Sequence, residues 1–149
     1  MNNKLKKVLF ICVHNSARSQ MAETYLNDLG NGRFSAESAG LEPGSLNPLV
    51  MKVMAEEGYD ISGNSTNSVF DFYQQKRSYD VVVAVCSKEA EERCPIFPGA
   101  GQHLHWPFDD PSSTTGSEEE RLEATRKIRD QIKQKIKAFI AENEGETEQ

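Results

Sequence analysis

The chain reads as a single α/β domain built on a four-stranded, mainly parallel sheet flanked by helices. Three observations predict this. Two unbroken apolar runs, Val8-Leu9-Phe10-Ile11 and Val81-Val82-Val83-Ala84-Val85, mark strands covered on both faces, as the strands of parallel sheets are. Helical patterns alternate with these runs and with two further strand candidates, which requires right-handed crossovers. At 149 residues the chain has the size of one domain, with neither an internal repeat nor a linker.

The first strand is placed at Lys7 to Cys12. From Ser19 to Leu29, apolar residues at Met21, Ala22, Tyr25, Leu26 and Leu29 follow helical spacing, with Ser19 opening the helix and Gly30 ending it. Phe34 to Ala39 forms a second strand. Beyond the loop at Pro43-Gly44, Asn47 supplies an N-cap and Pro48 a first helical residue for a helix to about Glu57. A polar loop, Ser62 to Ser68, leads into a weaker helix at Val69 to Gln75. Asp80 to Cys86 is the clearest buried strand, and Gln102 to Trp106 the fourth. Ser117 and Glu120 form a capping box, and Leu122, Thr125, Ile128, Ile132, Ile136, Phe139 and Ile140 line one face of the long helix that follows. The acidic residues from Glu142 to Gln149 are expected to fray.

Composition excludes several functions. With 17 basic against 23 acidic residues the net charge is −6, and no basic stretch exceeds Lys6-Lys7, so neither nucleic acid nor an anionic membrane is an expected partner. No segment approaches the ~20 apolar residues of a membrane span, and the N-terminal apolar run is too short for a signal-peptide core. A cytoplasmic monomer is expected, and three cysteines in that compartment do not make a structural disulfide framework.

Cys12-Val13-His14-Asn15-Ser16-Ala17-Arg18 lies between a strand and a helix. A loop there turns backbone N–H groups outward at the positive end of the helix dipole, a site suited to a tetrahedral oxyanion. The loop amides favour a thiolate at Cys12, which makes it a nucleophile. Arg18 can hold two oxygens of a phosphate-like ligand at once. Ser19 can donate its hydroxyl to the Cys12 sulfur, and Asn15 tolerates left-handed backbone in mid-loop. His14 sits on the rim. Residues Cys12, Val13, His14, Asn15, Ser16, Ala17, Arg18 and Ser19 are therefore the expected oxyanion-binding set. Ligands of open parallel sheets bind beyond the carboxyl ends of the strands, and Cys12 and Cys86 both end strands, so both thiols are expected at that edge.

These motifs, together with Ser38-Ala39-Gly40, Cys94-Pro95 and Phe108-Asp109-Asp110-Pro111, resemble the low-molecular-weight tyrosine phosphatases and the thioredoxin-coupled arsenate reductases that share their fold. The likeness runs over about residues 6 to 140. It implies Cys12 as nucleophile, Arg18 as anion clamp and Asp110, directly before proline, as the acid that protonates the leaving oxygen; apolar Trp106 and Phe108 would favour the protonated carboxyl.

The reductase branch implies a relay. Cys12 attacks arsenate, for which phosphate or sulfate is a mimic. Cys86 resolves the adduct as a Cys12–Cys86 disulfide, and Cys94 then exchanges to give a Cys86–Cys94 disulfide that thioredoxin reduces. Ser87 to Arg93 are helix formers, and a helix would hold Cys86 and Cys94 ~12 Å apart, beyond disulfide reach, so the segment is expected to unwind on oxidation. Seven residues separate these cysteines, one more than the family's usual spacing. The Cys86/Cys94 pair favours thioredoxin as the electron source over the glutaredoxin or mycothiol systems of other relatives, and no bound cofactor is expected. Some reductases of this family bind a monovalent cation at positions matching Asn15, Glu23 and Ser38, but Asn67 stands where an aspartate is expected, and the loss of that charge leaves the cation unpredicted here. His103, His105 and Cys94 lack a fourth ligand at recognisable spacing, so no metal is expected either. Two rivals remain: a phosphatase using Cys12, Arg18 and Asp110, and a thiol module that only binds trivalent arsenic or metal. Ser112-Ser113-Thr114-Thr115, where phosphatases carry aromatic residues, favours a small inorganic anion over the first.

Overall fold

The strands Lys6–Cys12 (β1), Phe34–Gly40 (β2), Val81–Ala84 (β3) and Gln102–His105 (β4) form one sheet in the order β2-β1-β3-β4, with every pair parallel. The computed structural model describes residues 5–86, 92, 93, 97 and 100–147. Helices Arg18–Leu29 (α1), Pro48–Glu56 (α2), Val69–Gln74 (α3) and Glu118–Thr147 (α4) complete the α/β architecture, with a 3-10 turn at Pro111–Ser113. α1 packs on β1, β2 and α4, and α2 packs on α4.

The core follows the apolar runs. Val8, Leu9, Phe10 and Val83 are fully enclosed, each removing a side chain from water for roughly 2 kcal/mol. Ile132 and Ile136 bring α4 onto the same core, and the rings of Phe10, Trp106, Phe139 and Phe34 make a chain of tilted and edge-on contacts at 5.6–5.9 Å. Asn47 caps α2 through Leu49 N–H (2.8 Å), and Ser117 and Glu120 exchange both bonds of the capping box at the start of α4.

Several boundaries differ from expectation. β3 stops at Ala84, although Val85 N–H still bonds the Ile11 carbonyl (2.9 Å). β4 ends at His105, although Trp106 N–H still bonds the Ala84 carbonyl (2.8 Å). α1 opens at Arg18, one residue before Ser19. The tail from Glu142, expected to fray, continues as helix to Thr147. Asn143 explains this: it is buried, accepts from Lys6 Nζ (2.6 Å) and donates to the Phe139 carbonyl (2.8 Å), fastening the last turns to the start of β1. Cys94 and most of the helix expected at 87–93 lie outside the described residues.

Candidate active site

Parallel register brings the cysteine-bearing ends of β1 and β3 together. Ile11 pairs with Ala84, so Cys12 is level with Val85 and Cys86 lies one residue beyond, both at the carboxyl edge of adjacent central strands. Both are thiols and both are buried.

The loop from Cys12 to Arg18 is shaped by what holds its carbonyls. Leu41 N–H donates to the Cys12 carbonyl (3.2 Å), Glu42 N–H to Val13 (2.8 Å), Gly44 N–H to His14 (3.0 Å) and Asn47 N–H to Ser16 (3.0 Å). Gln20 Nε2 donates to the Asn15 carbonyl (3.0 Å). In a trans peptide the N–H points opposite to the C=O, so anchoring these carbonyls outward turns the amides toward the pocket. Asn15 adopts φ 55°, the left-handed conformation its short amide tolerates. Gly40 makes this packing possible: a Cβ there would lie 2.7 Å from both Asn15 N and Val13 O.

A directed hydrogen-bond chain reaches the Cys12 sulfur. Asn67 N–H, which can only donate, faces Asn15 Oδ1 at 2.8 Å and so fixes the amide's orientation. Asn15 Nδ2 then donates to Ser19 Oγ (2.8 Å). The Ser19 hydroxyl is thereby left to donate to Cys12 Sγ at 2.9 Å, a contact that stabilises a thiolate. Ser19 sits inside the first turn rather than capping it; the cap position is Ala17, with no side-chain cap and no acidic residue in the first turn to offset the dipole.

Arg18 is buried, its Nη1 donating to the Phe108 carbonyl (3.1 Å) and its Nη2 lying 3.6 Å from Asp110 Oδ2. Its Nε is enclosed without a hydrogen-bond partner among the described residues, a donor that an oxyanion would satisfy. Asp110 accepts from Ser112 N–H (2.9 Å), capping the 3-10 turn while its other oxygen faces Arg18. The carboxylate is 36% exposed, and the Trp106 ring expected beside it is turned into the core against Phe10 and Phe139. The Asp110 carboxylate and the Arg18 guanidinium are thus brought together at the mouth of the loop, with His14 on the exposed rim donating Nδ1–H to the Glu42 carbonyl (2.8 Å).

Asn47 is more than the helix cap that sequence indicates. Its backbone anchors Ser16, and its Nδ2 donates to Ser112 Oγ (3.2 Å), joining the oxyanion loop to the acid loop. The Asn-Pro dipeptide signals a cap and carries no sign of this second role.

Asn15, Glu23, Ser38 and Asn67 also converge. Their acceptors are engaged by protein donors: Asn67 Nδ2 donates to the Ser38 carbonyl (3.0 Å), Asn67 N–H to Asn15 Oδ1, and the Ser38 hydroxyl to Glu23 Oε1. Burial pushes the Glu23 carboxyl above its ordinary 4.5, against the Ser38 bond and with the Glu37 charge adding to the rise. A raised native value means that the native state holds the proton more tightly than the unfolded chain, so stability falls as pH climbs from 4.5 through the native value. Glu23→Gln is accordingly expected to melt at a higher temperature than the parent chain at pH 7, with the gain vanishing as pH drops below 4.5. Thermal unfolding at both ends of that range checks it. Among the described residues no group of three His, Cys, Asp or Glu side chains could hold a metal, and no helix is long and apolar enough to cross a membrane.

Comparison with known proteins agrees with this geometry. The family model described as low molecular weight phosphotyrosine protein phosphatase matches residues 7–148. An arsenate reductase of Bacillus subtilis (strain 168) is 38% identical over 139 residues, covering 93% of this chain and 96% of that protein. A solved arsenate reductase in the phosphate binding state superposes with a TM-score of 0.76 at 33% identity, over 93% of this chain and 98% of the other. An arsenate reductase in the oxidized state gives 0.77 at 32% identity, over the same shares.

Proposed function

Since the chain belongs to the low molecular weight phosphotyrosine protein phosphatase family, we propose that it uses that scaffold to reduce arsenate to arsenite rather than to hydrolyse phosphotyrosine. The observation that supports reduction is the second buried thiol, Cys86, one residue beyond the level of Cys12 on the neighbouring strand. Relatives and structural neighbours named as arsenate reductases point the same way.

Arsenate enters the loop and is held by its amides and by Arg18. The Cys12 thiolate attacks arsenic and an As–O bond breaks, the departing oxygen leaving as water with a proton from Asp110. The Cys86 thiolate then attacks the Cys12 sulfur. As the S–As bond breaks, its electron pair passes to arsenic, which falls from the pentavalent to the trivalent state and leaves as arsenite. The two cysteines have each given one electron and are joined as a disulfide. Ser19, hydrogen-bonded to Cys12 Sγ, steadies that sulfur whenever it carries charge. Cys94 exchanges with Cys86 and frees Cys12, and the Cys86–Cys94 disulfide is reduced by a thioredoxin dithiol, which supplies the two electrons.

Trapping the thiols by alkylation after one turnover without reductant tests the scheme. Mass spectrometry is expected to find Cys86 and Cys94 linked and Cys12 alkylatable. If Cys86 and Cys94 both remain alkylatable and no arsenite has formed, the relay is wrong and a hydrolase using Cys12, Arg18 and Asp110 is the better reading.

A further inference from the structure

β3 and β4 part company one step before the resolving cysteine. The backbone bond from Trp106 N–H to the Ala84 carbonyl (2.8 Å) lies at this end of the β3–β4 ladder. Alternate residues of a strand address the same neighbour. Val85 N–H turns to β1, so the carbonyl that faces β4 beyond Ala84 is that of Cys86. A side chain meets it: His105 Nε2 lies 2.6 Å from the Cys86 carbonyl oxygen. A carbonyl only accepts, so this nitrogen carries hydrogen and donates in either charge state of the ring. His105 is half-buried and rooted in β4 opposite Ala84, so the ring spans from a fixed strand to the peptide that carries the second thiol.

We propose that His105 is a positioning residue for the resolving step, holding the Cys86 backbone where its sulfur can reach the sulfur of Cys12. Attack of one sulfur on another demands close and aligned approach, and the two cysteines sit on adjacent strands with no covalent tie to set their distance. The hydrogen bond from His105 contributes that constraint just beyond the last backbone bond of the described β3–β4 ladder. His105 has no contact with the oxyanion loop among the hydrogen bonds of the described residues, so the first chemical step does not depend on it.

This inference rests on the relay described above, and a four-way comparison separates the two. Single-turnover arsenite formation, without thioredoxin, is followed beside hydrolysis of p-nitrophenyl phosphate, which needs only the Cys12 half of the site. His105→Ala is expected to slow arsenite formation about 10- to 100-fold while hydrolysis stays within about 2-fold. His105→Gln, whose amide donor reaches a similar position, is expected to restore arsenite formation to within about 3-fold of the parent chain. Arsenite formation at the parent rate in His105→Ala, equal loss of both activities, or a Gln variant as slow as Ala while hydrolysing normally would each overturn the role of His105. Should the Ala variant fail to fold, the Gln arm decides alone. Parent-rate arsenite formation in Cys86→Ser would instead overturn the relay itself.

Discussion

Cys86→Ser is expected to abolish arsenate reduction, by at least ~10³-fold in multiple-turnover assays with thioredoxin, while hydrolysis of p-nitrophenyl phosphate changes by less than about 2-fold. Serine fills almost the same volume at the end of β3, so the packing around this buried position survives. What is lost is the sulfur: a hydroxyl neither ionises near neutral pH nor forms a covalent link to Cys12. Arsenate would still be captured, because Arg18, the loop amides and Ser19 are untouched, but its adduct with Cys12 could only fall back. Steady-state assay of both activities on one preparation provides the check. Equal loss of both would mean that the substitution had damaged the oxyanion loop and that Cys86 had been given the wrong role.

The second large effect is expected at a residue with no reactive group. Gly40→Ala would set a methyl carbon 2.7 Å from Asn15 N, 2.7 Å from Val13 O and 2.9 Å from His14 C. All three are backbone atoms of the oxyanion loop, with no flexible side-chain end to yield, and Gly40 is itself held by its N–H to the Asn67 carbonyl (2.8 Å). The loop must therefore retreat. A displacement near 1 Å of anion-binding amides is expected to lower kcat/KM about 100-fold for arsenate and for aryl phosphate alike. Crowding of this kind costs about 1–3 kcal/mol of stability, measurable by denaturant unfolding. Gly63→Ala is the matched control, since a Cβ there meets nothing within 4 Å, and it should leave both quantities unchanged.

What sequence reveals here is what is local. The apolar runs of β1 and β3, the capping box before α4, the Asn47 cap and the left-handed Asn15 all depend on residues within a few positions of one another, and all appear where expected. The two cysteine-bearing strand ends are legible for the same reason, once a parallel sheet is assumed. The supports of the site are not. Carbonyls of the loop are anchored by Leu41, Glu42, Gly44 and Asn47, and its central amide by Asn67, partners 29 to 52 positions away that no local pattern marks. The bond from His105 to the Cys86 carbonyl is of this kind too. Proximity in the chain puts Trp106 beside Asp110, whereas the hydrophobic gain of filling the space between Phe10 and Phe139 decides its direction. At the other end, Glu142 onward reads as solvated charge, and a single buried asparagine overrides that reading.

Cys12 and Cys86 expose only 3% and 1% of their surface. In-line approach to either sulfur is therefore closed to a bulky disulfide such as oxidised glutathione, while a compact tetrahedral anion can reach Cys12 through the amide cradle. Size alone thus screens this pair from adventitious mixed-disulfide formation.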